Sequence, residues 1–461
     1  MPLHDHQKAI VSNPARFKII RGGRRGGKTA LETEHLAFTA VTGNDRRVFY
    51  IAPTQKQARE IIWETLKSRL TGIGQFNEQR LEIKVPTTQG GSSLIQVAGW
   101  ENRENFRGKK AHHVTFDETD TMKDFYIAWQ EIFRPALIDT AGSAHFIGTP
   151  KKENPNLRRL EKESAEDSEW GAFHFTSWDN PTLPRTELEN AKAEMDATTY
   201  QQEILAEYVE NEGALFKYTS LLDLFSNSIT KTPENYLTVD IADDGSDKTI
   251  FTPWRGLEAF NIEQFSQLQT DGIINHIREL AAQYQIPYSQ IAVDAIGVGA
   301  GVASSPLLTG VVGFKSSYGA MRTDMDPVRL PNVHYLKNAP LTTEYKNLRS
   351  QCMFTLANLV NDHKLAVKVD DQRIKSAIIE ELSTYQDASA GDGKRMVTMK
   401  EDVKELIGRS PDISDTLVMR MYFVLRDRLT PAQDPTRGVI HDKIQSQFRR
   451  NELNSRNSST R

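Results

Sequence analysis

The sequence predicts an α/β protein of at least two domains, and three observations carry that expectation. A glycine-rich loop, Arg21-Gly22-Gly23-Arg24-Arg25-Gly26-Gly27-Lys28-Thr29, lies between a short apolar strand and a helix near the start of the chain. Apolar strands and helix-spaced segments then alternate through the first part of the chain. A second series, three strands, a helix, a strand and further helices, opens at Tyr236. The expected division is a core over 1–180, a helical linker and hinge over 181–234, a second domain over 235–430, and a basic tail over 431–461.

Size agrees, because 461 residues exceed what one ordinary hydrophobic core organises. Hydrophobic residues at 38% and charged residues at 26% are globular values. No apolar run reaches the length of a membrane span, and Met1-Pro2-Leu3-His4-Asp5-His6 does not read as a signal peptide, so a cytoplasmic protein with no membrane partner is expected. The single cysteine, Cys352, rules out an internal disulfide framework and reads as a small buried hydrophobe. A net charge of −4 does not advertise a nucleic-acid binder, although a local basic patch would suffice for transient contact.

The glycine-rich loop satisfies G-x-x-x-x-G-K-[ST] at every required position, with Phe17-Lys18-Ile19-Ile20 as the lead-in strand and Thr29 to Val41 as the helix. Gly22, Gly23, Gly26 and Gly27 let backbone N–H groups close around phosphate oxygens. Lys28 can reach the β/γ-phosphates of ATP, and Thr29 can hold Mg²⁺ at a helix start whose dipole favours anions. Gln7, just upstream, could bond an adenine edge; on pattern alone a surface glutamine is the plainer reading.

Arg47 to Ala52 reads as a second strand and Gln55 to Leu70 as a helix. Leu81 to Val85 and Ser93 to Val97 read as strands around the Gly90-Gly91 turn. The basic loop Asn105 to Lys110 feeds Val114-Thr115-Phe116-Asp117-Glu118, a buried strand presenting two carboxylates at its C-terminal end, where open α/β sheets bind ligands. Asp117 would act on the Mg²⁺ shell and Glu118 would polarise the attacking water. Ala144 to Pro150 reads as a further core strand with the Thr149 hydroxyl at its tip, either sensing a γ-phosphate or simply turning the chain. Glu153 to Trp170 reads as a polar surface excursion, and Thr186 to Tyr208 as helical.

In the second domain, Tyr236 to Ala242 is a strand carrying Asp240, and Ala259 to Phe265 is expected as its third strand. Gln290 to Asp294 is a strand ending in Asp294. The run Gly297-Val298-Gly299-Ala300-Gly301 lacks dinucleotide spacing and reads as close packing beneath a site. Helices are expected at 341–361 and 371–385, with strands at 365–369 and 394–400. Ser410 is a plausible cap and Pro411 a plausible first residue of the last helix, so Asp412 and Asp415 could be no more than helix-start acids. Taken with Asp240 and Asp294, they instead compose a hard-oxygen site for one or two Mg²⁺ or Mn²⁺ ions that could cleave a phosphodiester. No histidine cluster suggests zinc.

The order of these parts resembles the large subunit of tailed-bacteriophage terminases. The resemblance rests on the GGRRGGKT loop, Phe106-Arg107-Gly108 ahead of Asp117-Glu118, and Gly148-Thr149-Pro150. It also rests on Glu203 to Tyr208 and on Ser410 to Asp415; it covers about 1–428. It implies a P-loop additional-strand ATPase followed by an RNase H-like nuclease, working as a homo-oligomeric ring in the host cytoplasm. The implied partners are double-stranded DNA, the portal protein of the procapsid and a small terminase subunit. It further implies that Lys28, Thr29, Asp117 and Glu118 are ATPase residues, Arg24 the loop arginine, Thr149 the coupling residue, Gln7 an adenine contact, and Asp240, Asp294 and Asp415 the nuclease triad with Asp412 beside them. A helicase-like or repair ATPase with an attached nuclease, and a catalytically silent capsid or portal adaptor, are the competing readings.

Overall fold

The computed structural model describes residues 3–152, 155–210, 213–242, 247–321, 344–389 and 394–429. The start of the helix expected at 341–361 and the basic tail lie outside them. Among the described residues no helix is long and apolar enough to cross a membrane. The chain forms two compact units, Met1–Glu212 and Gly213–Arg461.

The first unit is built on strands β1 (Phe17–Gly22), β2 (Arg47–Ala52), β3 (Gln75–Asn77), β4 (Glu82–Pro86), β5 (Ser92–Gly99), β6 (His113–Phe116), β7 (Ser143–Gly148) and β8 (Trp170–Phe175). They lie in one sheet in the order β3-β4-β5-β2-β6-β7-β1-β8. From β5 to β8 all neighbours run parallel. These central strands are near-continuous runs of buried residues, as strands covered on both faces must be. β7 separates β1, which precedes the phosphate loop, from β6, which ends at Asp117; that inserted strand is what defines an additional-strand ATPase.

The second unit carries β9 (Asn235–Asp240), β10 (Lys248–Arg255), β11 (Glu258–Ala259), β12 (Glu263–Ser266), β13 (Ile291–Asp294), β14 (Val312–Phe314) and β15 (Ala366–Val367). Their order is β14-β13-β9-β10-β11-β15, with β12 also on β10. β10 runs antiparallel to β9, whereas β13 and β14 run parallel to it. This is an RNase H-like mixed sheet. The C-terminal helix Asp412–Leu429 crosses it, with Leu417, Val418, Met421 and Leu425 buried. Leu215, Phe216, Leu221 and Leu224, in the stretch expected as a hinge, are buried in this unit's core. Cys352 is fully buried there as a small apolar side chain.

Several expectations need correction. The stretch taken for a surface excursion holds a helix, Asn156–Glu163, and runs into β8 against the phosphate-loop strand. Polar composition hid the helix because its buried residues are Leu157, Leu160 and Arg159, whose guanidinium lies over the Tyr126 ring. The segment 186–208 is two helices, Arg185–Glu194 and Ala197–Glu203, broken where Asp196 caps the second through Thr199 N–H at 2.9 Å. The third strand of the second unit is divided into β11 and β12, and the strand at 365–369 shrinks to β15. Residues 394–400 make only isolated bridges at Arg395 and Val397, and Lys400 begins a helix, Lys400–Ile407. The last helix begins at Asp412, leaving Pro411 outside it. The Glu381 carboxylate accepts from Ser414 N–H at 2.7 Å, doing there what Ser410 was expected to do.

Candidate active sites

In the first unit the phosphate loop is pinned from several sides. Gly23 N–H donates to Phe175 O at 3.0 Å at the end of β8, and Ser177 Oγ donates to Arg24 O at 2.7 Å. Asn180 Nδ2 holds Arg25 O at 2.7 Å. Glycine is required where the packing is closest: a Cβ on Gly23 would lie 2.4 Å from Ile204 O, and Gly27 sits at φ +101°. Gln7 is corrected from a surface residue to a buried one, 2% exposed. Its Nε2 donates to Gly27 O at 2.9 Å and its Oε1 accepts from His4 N–H at 2.7 Å, so the amide ties the first helix, Asp5–Ser12, to the loop.

Lys28 folds back over the loop. Its Nζ donates to Gly22 O at 2.7 Å, Gly23 O at 3.1 Å and Thr149 Oγ1 at 2.9 Å, and Thr149 donates onward to Gly22 O at 3.0 Å. Burial lowers the lysine pKa, while Glu118 and Asp117 oppose the shift. Asp117, at the end of β6, is pushed up to about 7 by burial and by neighbouring Glu118; the Tyr50 hydroxyl and Lys28 pull the other way. Glu118 occupies the left-handed region at φ +53°, which turns its side chain out of the strand register at a cost of order 1 kcal/mol. Thr29 lies one residue into the helix Lys28–Val41. Arg24 is exposed and paired with Glu203, which Lys151 also meets at 2.6 Å.

Two residues here escaped the sequence reading. Tyr50 donates to Asp117 from the neighbouring β2, a contact set by sheet register. Asp120 is buried and accepts from Leu157 N–H at 2.7 Å and Lys151 N–H at 2.9 Å, joining the end of β6 to the segment after β7.

In the second unit a cavity of about 440 Å³ is lined by Asp240, Asp294, Asp412 and Asp415 together with Lys400 and Arg349. β9 and β13, adjacent and parallel, deliver Asp240 and Asp294 at their C-terminal ends. The first turn of the last helix delivers Asp412 and Asp415. Asp412 accepts from Lys248 N–H at 3.2 Å. Asp415 meets Lys400 Nζ at 2.5 Å and Arg349 Nη2 at 3.7 Å. Burial raises the Asp240 pKa well above the usual carboxylate range; Lys400 opposes that, and Asp415, Asp412 and Asp294 add to it. An all-oxygen donor set with a buried carboxylate short of counter-charge fits a hard divalent cation such as Mg²⁺ or Mn²⁺. Lys400 was expected in a strand, and nothing in its local sequence marks it; the fold alone carries it to Asp415. Gly299 supports the packing reading of the glycine run, since a Cβ there would lie 2.0 Å from Asp294 O.

The terminase large subunit, T4-like-virus-type, N-terminal family matches residues 19–223, a span that contains the phosphate loop, Asp117-Glu118 and Thr149. Over residues 19–223 the chain is thus similar to terminase large subunits. The terminase large subunit of Escherichia phage T5 is 23% identical over 210 residues, 45% of this chain and 47% of that protein. The chain thus spans about half the length of that curated relative. Among solved structures, the large terminase ATPase domain of Thermus phage P74-26 is 23% identical, with 45% of this chain and 94% of that one covered at a TM-score of 0.39. The large terminase of a thermophilic bacteriophage is 14% identical, with 92% and 98% covered at a TM-score of 0.42. The nuclease domain of the large terminase subunit gp2 of bacterial virus Sf6 is 18% identical, with 45% and 98% covered at 0.37.

The first unit also corrects the expectation that histidines do not cluster. His35, His113 and His145 meet with their ligand atoms within 4.8 Å of one another. Their wide separation in sequence concealed them.

Proposed function

We propose that the chain is a DNA-packaging motor in which the first unit hydrolyses ATP to drive double-stranded DNA into a procapsid and the second cuts the concatemer at the start and end of packaging. The observation that carries this reading is a terminase-family phosphate-loop unit followed, in the same chain, by an RNase H-like sheet whose cavity gathers Asp240, Asp294, Asp412 and Asp415.

In this reading Lys28 exchanges its bonds to Gly22 and Gly23 carbonyls for β/γ-phosphate oxygens of ATP, and Gln7 braces the loop from the adenine side. Thr29 and Asp117 would hold the Mg²⁺ that accompanies the nucleotide, and Glu118 would orient the attacking water. Thr149, already bonded to Lys28, links the phosphate state to β7. Arg24, on the exposed rim of the loop, leaves Glu203 to meet developing phosphate charge. In the second unit Asp240, Asp294 and Asp415, with Asp412 adjacent, would hold one or two Mg²⁺ or Mn²⁺ ions. Those ions, when bound, supply Lewis acidity to phosphodiester hydrolysis. Lys400 offsets the carboxylate charge and lies where a phosphate oxygen could be met. A homo-oligomeric ring on the portal protein, DNA delivered by a small terminase subunit, and action in the host cytoplasm complete the proposal.

The test measures ATP turnover and plasmid cleavage side by side for Glu118→Ala and Asp294→Ala. Glu118→Ala is expected to silence turnover alone, and Asp294→Ala cleavage alone. A wild-type chain that neither turns over ATP nor cuts DNA, even with portal-bearing procapsids present, would replace the motor with a silent adaptor.

A further inference from the structure

Helix Lys28–Val41 packs on the sheet and carries Glu32 and His35, one turn apart, toward the side chains of β6 and β7. Beneath it the register sets His113 opposite Ser143, Thr115 opposite His145, and His145 opposite Lys18. A core of this kind ordinarily contains aliphatic side chains. Here it holds a polar constellation that none of the ATPase chemistry above uses.

The hydrogen bonds fix much of its chemistry. Glu32 is fully buried; one carboxylate oxygen accepts from Thr115 Oγ1 at 2.6 Å and the other lies 2.9 Å from His145 Nδ1. Beside that carboxylate His145 Nδ1 is the donor of the pair, and Nε2 is the nitrogen left to meet a ligand. His35 stacks on His145 with ring centroids 4.3 Å apart, and its Nε2 is buried with no hydrogen-bond partner. His113 stands edge-on to both rings, at 4.4 Å and 4.7 Å, with its nitrogens on the Ser143 and Thr115 hydroxyls. An orphaned buried nitrogen is costly and calls for a partner such as an ion.

We propose that His35, His113 and His145 form a binding site for one divalent transition ion of the zinc type, which fastens the phosphate-loop helix to the strands leading to Asp117 and Thr149. Glu32 holds His145 as the carboxylate of a carboxylate–histidine–metal triad holds its ligand. Imidazole nitrogens prefer zinc-type ions to the Mg²⁺ that suits the aspartates of the second unit. A tetrahedral ion with nitrogens at ~2.1 Å needs them roughly 3.4 Å apart. The present spread of up to 4.8 Å must therefore contract on binding, with the stacked His35 and His145 rings turning toward the ion and His113 exchanging one hydroxyl bond for it. His35, only partly buried as a residue, supplies the way in.

The probe is Co²⁺ added to the metal-stripped full chain. One equivalent with the intense visible absorption of a tetrahedral imidazole site is expected, displaced by Zn²⁺ and accompanied by a higher melting temperature of the first unit. The signal should persist in Asp240→Asn, which weakens the carboxylate site, and should fall at least tenfold in affinity in His35→Gln and His145→Gln. Absence of the tetrahedral spectrum in the wild-type chain, or a spectrum unchanged in His35→Gln, overturns the proposal and leaves a water as the partner of His35. Should His145→Gln fail to fold, the wild-type spectrum and His35→Gln decide the matter. Neither result depends on whether the chain packages DNA.

Discussion

Lys400 was not legible as a site residue, and its position makes a sharp demand. Its ammonium is held at 2.5 Å from Asp415, and although burial works against its charge, Asp415 and Asp240 outweigh that and raise its pKa. Lys400→Met is expected to lower Mn²⁺-dependent plasmid cleavage by about two orders of magnitude, the scale of losing one preorganised charge at a reacting phosphate, with ATP turnover unchanged. Equal loss of both activities would show general misfolding instead. Asp240 adds a pH signature. Its raised pKa means that the carboxyl keeps its proton above the usual carboxylate range, and a proton competes with a cation for the same oxygens. Cleavage at fixed Mn²⁺ should therefore rise with pH beyond the range where ordinary aspartates finish titrating, and more Mn²⁺ should move the profile to lower pH. A profile indifferent to Mn²⁺ would detach Asp240 from the ion.

Two elements depend on acceptors supplied from elsewhere in the chain. The segment after β6 is fastened by Asp120 to the backbone at Lys151 and Leu157. Asp120→Ala would orphan those two N–H groups, at an expected cost of about 2–4 kcal/mol, read as a lower denaturant midpoint with unchanged slope. The last helix takes its first-turn acceptor from Glu381, which Arg409 pairs. Glu381→Ala should cost about 1–3 kcal/mol and weaken DNA cleavage, because Asp412 and Asp415 ride on that same first turn. The phosphate-loop strand and helix were visible from spacing because the motif is local. The helix Asn156–Glu163 was not, because its burial uses a whole arginine side chain and two leucines in a charged stretch, a pattern that resembles a solvated loop.

At the scale of the molecule, each unit has its own sheet and its own buried core. A fragment from Gly213 to Leu429 is therefore expected to fold and to cut DNA with Mn²⁺ without ATP. A fragment starting at Asn235 would lack Leu215, Phe216, Leu221 and Leu224, and should be measurably less stable in the same melting experiment. Equal melting of the two fragments would mean that those side chains contribute little.

The phosphate loop, the strand leading to Asp117-Glu118, the two-unit α/β plan and the candidate carboxylates Asp240, Asp294, Asp412 and Asp415 could be read from the chain alone. Each of these is written in a few consecutive residues whose backbone geometry and apolar period are local properties. It took the folded chain to show that Tyr50 bonds Asp117, that Gln7 turns inward onto Gly27, that Lys400 meets Asp415, and that three histidines come together. Those meetings depend on strand order and register, which join positions far apart in the chain, and no local pattern encodes a distance that the sheet itself sets.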